Sequence, residues 1–95
     1  MAAYAIADVK VTNPAKFQEY LSQVPATVEK YGGKYIVRGG AIEKAEGNWE
    51  PGRMVVIEFE SMEQLKEWYH SQEYSGPMQL RHQSASANLL FAEGV

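Results

Sequence analysis

A chain of 95 residues with a net charge of −3 and no cysteine has the length of one domain and cannot be a disulfide scaffold. Its nine lysines and arginines are dispersed among twelve carboxylates, so it lacks the concentrated basic face that nucleic acid or an anionic membrane surface requires. No apolar run approaches the roughly 18 residues of a membrane span, and Met1 to Ala7 run directly into Asp8 and Lys10 without a basic, then apolar, leader; the expectation is a mildly acidic cytoplasmic domain.

In chain order, Tyr4 to Val11 alternates, with Ala5, Ala7, Val9 and Val11 on one side and Tyr4, Ile6, Asp8 and Lys10 on the other. A period of two over eight residues predicts a strand. Asn13 and Pro14 then form a helix start, an N-cap followed by the one position where a missing N–H costs nothing. Phe17, Leu21, Val24, Val28 and Tyr31 recur at steps of four and three, an amphipathic stripe. Pro25 falls inside that stripe and is expected to kink or interrupt the helix, and Gly32-Gly33 to end it.

Lys34 to Ile42 and Arg53 to Glu60 read as the second and third strands, joined through the turn-rich Glu46 to Gly52 as a long hairpin. Ser61 and Gln64 have the spacing of a capping box, opening a helix with Leu65, Trp68 and Tyr69 as its apolar residues. Ser75-Gly76-Pro77 is expected to break that helix, with a further short turn over Pro77 to Gln83. Asn88 to Ala92 is the last strand. The order is β-α-β-β-α-β, a ferredoxin-like α+β domain with a four-stranded antiparallel sheet. Helices on one face of such a sheet leave the other open. Because both faces carry apolar residues, a homodimer that covers the open face is the expected assembly.

Within these elements a few polar residues could carry chemistry. Arg38 and Glu58 each interrupt an apolar strand. With the hairpin tip near Asn48 they would oppose each other, as a carboxylate-binding arginine beside a general base, or simply as a cross-strand ion pair. Tyr69 and Tyr74 with Trp68 form an aromatic cluster, able to line a pocket or to anchor the core or an interface. Arg81 is a candidate anion ligand or a surface residue. Asp8 is expected to be solvated, and Trp49 to lie in a loop and pack on a partner. His70 and His82 stand twelve residues apart, not at the spacing that lets two ligands share a helical face, so no metal and no cofactor is expected. A haem iron would need one of them and an apolar pocket too large for one protomer of this size.

Several of these segments together resemble one family: Tyr4-Ala5-Ile6-Ala7-Asp8-Val9, Tyr31-Gly32-Gly33-Lys34-Tyr35, Arg38-Gly39-Gly40, Glu58-Phe59, and Trp68-Tyr69-His70-Ser71-Gln72-Glu73-Tyr74 with Arg81. The Trp-Tyr-x-Ser-x-x-Tyr pattern is the most specific part. The family is DUF1330, a domain of unknown function in the dimeric α+β barrel superfamily. The resemblance implies a ferredoxin-like protomer dimerised sheet against sheet and carries no established activity. The residues add an expectation of their own: a small anionic or aromatic metabolite held between sheet and helices by Arg38, Tyr69, Tyr74 and Arg81, with Glu58 as base. The competing expectation is a non-catalytic regulatory or stress-related dimer in which the same residues only hold the interface.

Overall fold

The structure, a computed structural model, describes residues 1–95. Its elements are β1 (Ala3–Val11), α1 (Pro14–Lys30), β2 (Lys34–Arg38), β3 (Arg53–Phe59), α2 (Met62–Tyr69), α3 (Gln72–Ser84) and β4 (Ala85–Glu93). The four strands form one sheet in the order β2-β3-β1-β4, every neighbouring pair antiparallel. Two split β-α-β units therefore interleave, as in ferredoxin-like folds: α1 carries the chain over β3, and α2 with α3 carries it over β1.

Local chemistry sets the helix ends. Asn13 accepts a hydrogen bond from the Lys16 amide at 3.2 Å with Pro14 at the first helical position. At the other end the Gly33 amide donates to Val28 C=O and the Gly32 amide to Glu29 C=O, the paired bonds of a Schellman motif. Gly32 has φ of 78° there, which glycine adopts without steric cost. Helix α1 runs continuously through Pro25; the expected interruption does not occur. The capping box is only half formed. Ser61 Oγ accepts from the Gln64 amide, but the Gln64 side chain donates to Tyr31 C=O at 2.7 Å, tying the start of α2 to the end of α1. A Cβ on Gly32 would collide with that amide group.

The second helical segment departs from the sequence reading. The break falls at His70-Ser71, and α3 continues through Gly76 and Pro77. Ser71 is the reason: its hydroxyl donates to Trp68 C=O at 2.7 Å, closing α2, and accepts from the Tyr74 amide at 3.1 Å, opening α3. A strong N-cap this close upstream leaves Pro77 in the second turn, where it removes one backbone bond without ending the helix.

The hairpin register departs as well. Lys34, not Arg38, opposes Glu58, and Arg38 opposes Val55. A bulge at Ile36 inserts one extra residue between Tyr35, opposite Ile57, and Val37, opposite Val56. One inserted residue exchanges the faces of all that follow. Tyr35 and Arg38 thus both lie on the helix-covered side of the sheet.

The core sits between the helices and that inner face: Ala3, Ala5, Ile57 and Phe59 from the sheet, Val24, Val28, Leu65, Trp68 and Tyr74 from the helices. On the outer face Leu90 is 57% exposed and Val37 is also exposed, beside half-buried Ile6, Met54 and Val56. No helix is long and apolar enough to cross a membrane.

Candidate functional site

The central strand β1 turns Ala5, Ala7 and Val9 toward the helices, and the two alanines are too small to meet α1 and α3. A cavity of about 50 Å³ remains above them, volume enough for a few water molecules. Phe17, Leu21 and Val24 of α1 roof it, and Val55, Ile57 and Leu89 complete its apolar floor. Its polar wall consists of Tyr20, Tyr35, Tyr74, Arg38, Arg53 and Arg81.

Arg81 is 8% exposed. Its Nε donates to Tyr74 Oη at 3.4 Å, one bond across two turns of α3. Burial works against the Arg81 charge, but the hydroxyls of Tyr74, Tyr20 and Tyr69 outweigh it and leave its pKa raised. Tyr74 is 1% exposed and shares a hydrogen bond with Tyr20 Oη at 3.1 Å. Burial first, and the neighbouring Tyr74 second, hold the Tyr20 phenol well above its ordinary pKa. Tyr35 is raised by burial, partly opposed by Arg38, whose guanidinium lies 4.4 Å from the Tyr35 ring centre, a cation–π distance. Both tyrosines are therefore protonated donors near neutral pH.

Arg53 was missed by sequence reasoning. It lines the cavity at the start of β3, and its Nε is buried with no hydrogen-bond partner. The loop after β2 crosses directly over it: Gly39, with φ of 69°, would bring any Cβ into the guanidinium. Tyr20 and Tyr35 were missed too. The signal was present, since Arg53 shares the period of two with Val55, Ile57 and Phe59, and Tyr20 follows Phe17 at helical spacing.

Of the expected site residues, the structure brings Arg38, Tyr74 and Arg81 to this cavity. Tyr69 stands behind it, its ring edge-on to Phe91 at 5.2 Å and 6.0 Å from Tyr74. Glu58 is not there. It lies on the outer face of the sheet, paired in register with Tyr4 and Lys34, and a hydrogen bond to Glu58 raises the Tyr4 pKa. Trp68 contributes only its ring, 4.3 Å from that of Tyr74, because its indole N–H is spent on Thr27 Oγ1 at 3.0 Å. His70 and His82 are exposed.

Asp8 is not solvated, contrary to expectation. It is 6% exposed and accepts from the Gly52 amide at 2.7 Å and the Trp49 indole at 2.8 Å, which together lower its pKa. This carboxylate pins the 39–52 connection against the outer face of the sheet.

Fold and cavity together define a ferredoxin-like α+β protomer with a donor-lined chamber between sheet and helices. The chain belongs to the family described as domain of unknown function (DUF1330), which matches residues 2–95. No curated protein matches it. Among solved structures it is similar to the RPA0582 protein of unknown function from Rhodopseudomonas palustris, at 14% identity and a TM-score of 0.81, covering 99% of this chain and 82% of that one. The methylated form of that protein gives 14%, 0.79, 99% and 81%. SnoaB, a cofactor-independent oxygenase from Streptomyces nogalater, is 8% identical with a TM-score of 0.71, covering 99% of this chain and 93% of that one. At these identities the likeness is one of fold.

Proposed function

We propose that the protein binds a small metabolite with an apolar or aromatic body and an acidic group in the cavity between sheet and helices. One observation carries this reading. All three arginines of the chain line the cavity, and none of its twelve carboxylates does. Both ion pairs of the fold use lysine instead, Lys30–Glu73 and Lys44–Glu50. Guanidinium groups are strong carboxylate ligands, and cationic groups gathered in a cleft without counter-charge focus potential on an anion. The apolar floor supplies the rest of the contact; the enclosed volume of about 50 Å³ takes the acidic group, and a ring-sized body extends past the exposed Arg38 at the mouth.

The cavity faces no carboxylate or imidazole that could accept a proton. That favours binding, or stabilisation of an enolate already formed, over base catalysis by Glu58. A purely interfacial role for Arg38, Tyr74 and Arg81 fits less well, because all three line the space between sheet and helices rather than the open face. That open face, with Val37, Val56, Ile6 and Leu90, supports the homodimer: exposed apolar area on a sheet is stabilised by a second sheet.

Isothermal titration with benzoate and with benzyl alcohol tests the binding reading. Benzoate binds and the uncharged alcohol does not, and Arg81→Met removes the benzoate signal. Equal binding of the alcohol, or no effect of the substitution, contradicts the reading.

A further inference from the structure

Resting on that reading, we propose that the ligand is a dianion, a small dicarboxylate or a carboxylate with a second acidic oxygen, held between two donor groups on opposite walls. The helix wall supplies Arg81 with Tyr74 and Tyr20. The sheet wall supplies Arg53 and Arg38, both on the inner face near the end of the β2–β3 ladder.

A count of hydrogens defines what the helix wall can accept. Tyr20 and Tyr74 own two phenolic hydrogens and share one bond, and Arg81 Nε occupies an acceptor position on Tyr74. Whichever tyrosine donates to the other, one O–H is left over and needs an acceptor. The terminal nitrogens of Arg81 make no hydrogen bond to the protein, its Nε–Tyr74 contact being its only side-chain bond. Guanidinium has no acceptor site and must be met by oxygen.

The sheet wall presents the same demand independently. Arg53 Nε is buried and unpartnered, and a buried unsatisfied donor in a native fold calls for a partner. Gly39 presses on that guanidinium, so Arg53 is confined rather than free to swing into solvent. Arg38 lies exposed at the mouth.

Charge supports two acidic groups over one. Three guanidinium groups facing one monoanion leave two charges uncompensated in a partly desolvated chamber, whereas a dianion leaves one, at the exposed Arg38. An amide serves the second position less well than a carboxylate, because its C=O accepts but its N–H₂ brings two further donors to a wall already made of donors.

Two matched pairs of probes test this, fumarate against its half-amide fumaramate and terephthalate against 4-carbamoylbenzoate. Each pair keeps size and shape and differs in one carboxylate. Titration calorimetry on the intact chain is expected to show the diacid of at least one pair binding about tenfold or more tighter than its half-amide. Arg53→Met should erase that preference while the half-amide still binds. Half-amides that bind as well as diacids overturn the dianion and leave the anion site standing. If neither pair binds at low millimolar concentration, the anion site itself falls, and the dianion with it. If Arg53→Met fails to fold by circular dichroism, Arg53→Lys keeps the charge but loses the forked donor geometry, and an undiminished preference there also overturns the assignment of Arg53.

Discussion

The hydroxyls of Tyr20 and Tyr74 lie 3.1 Å apart although the residues are 54 positions apart in the chain, and this contact joins α1 to α3 across the roof of the cavity. The two partners are unequal, because Tyr74 also receives Arg81 Nε. Tyr74→Phe strands both the Tyr20 hydroxyl and the arginine, and should cost about 1–3 kcal/mol by leaving buried groups unsatisfied. Tyr20→Phe leaves the Tyr74–Arg81 bond in place and should cost about 0.5–1.5 kcal/mol. Urea denaturation of the two variants measures the difference, and the Tyr20 variant is expected to be the more stable.

Ala7 forms part of the cavity floor, and its small side chain is what leaves the space. Ala7→Leu should fill that space and abolish the thermal shift given by benzoate. Overpacking of a formed core costs about 1–3 kcal/mol, so a change in melting temperature below a few degrees would show that the added methyl groups enter empty volume.

Gly39 has φ of 69° and lies against the Arg53 guanidinium. Gly39→Ala should cost about 1–2 kcal/mol from the left-handed backbone alone. It should also displace Arg53, so benzoate affinity falls with stability. Gly47 has φ of 96° with open space around it, and Gly47→Ala serves as the control: stability falls and affinity does not.

Asp8 has its pKa lowered by the Gly52 amide first and the Trp49 indole second. A carboxyl more acidic folded than unfolded binds fewer protons in the native state above its folded pKa, so its contribution is present above the unfolded value near 3.8 and is lost as pH falls through the lower, folded one. Asp8→Asn should destabilise the chain at pH 7 and flatten the acid limb of its stability curve below pH 4. Trp49 emission should shift to the red as the indole loses its anchor, in the variant at pH 7 and in the wild type in acid.

Much of the fold could be read from short-range chemistry. Asn13-Pro14, Gly32-Gly33 and Ser61 each make the terminus their side chains or backbone freedom call for, and the alternation of β1 separates its two faces correctly. Two features escaped because they depend on other parts of the chain. The bulge at Ile36 has no local marker, yet it alone brings Arg38 to the inner face; in an unbulged hairpin Arg38 would point outward. The 39–52 connection is held by Asp8 from a distant strand, so symmetry about Asn48 had no physical basis, and the pairing of Arg38 with Glu58 failed with it. The Trp-Tyr-x-Ser-x-x-Tyr pattern was legible as a motif but not as a device. Its serine turns the corner between α2 and α3, and the turn places the Tyr74 ring over Trp68 and its hydroxyl in the cavity.

Nitrogen-15 NMR of the arginine Nε–Hε groups during titration with benzoate reads the proposed anion site at its own donors, the three arginines of the chain. Three arginines give three signals, one each from Arg38, Arg53 and Arg81. All three are expected to move together and saturate at one concentration, with Arg53 and Arg81 shifting most. If the three signals stay fixed while backbone amides elsewhere respond, anions bind outside the cavity and the proposed site is wrong.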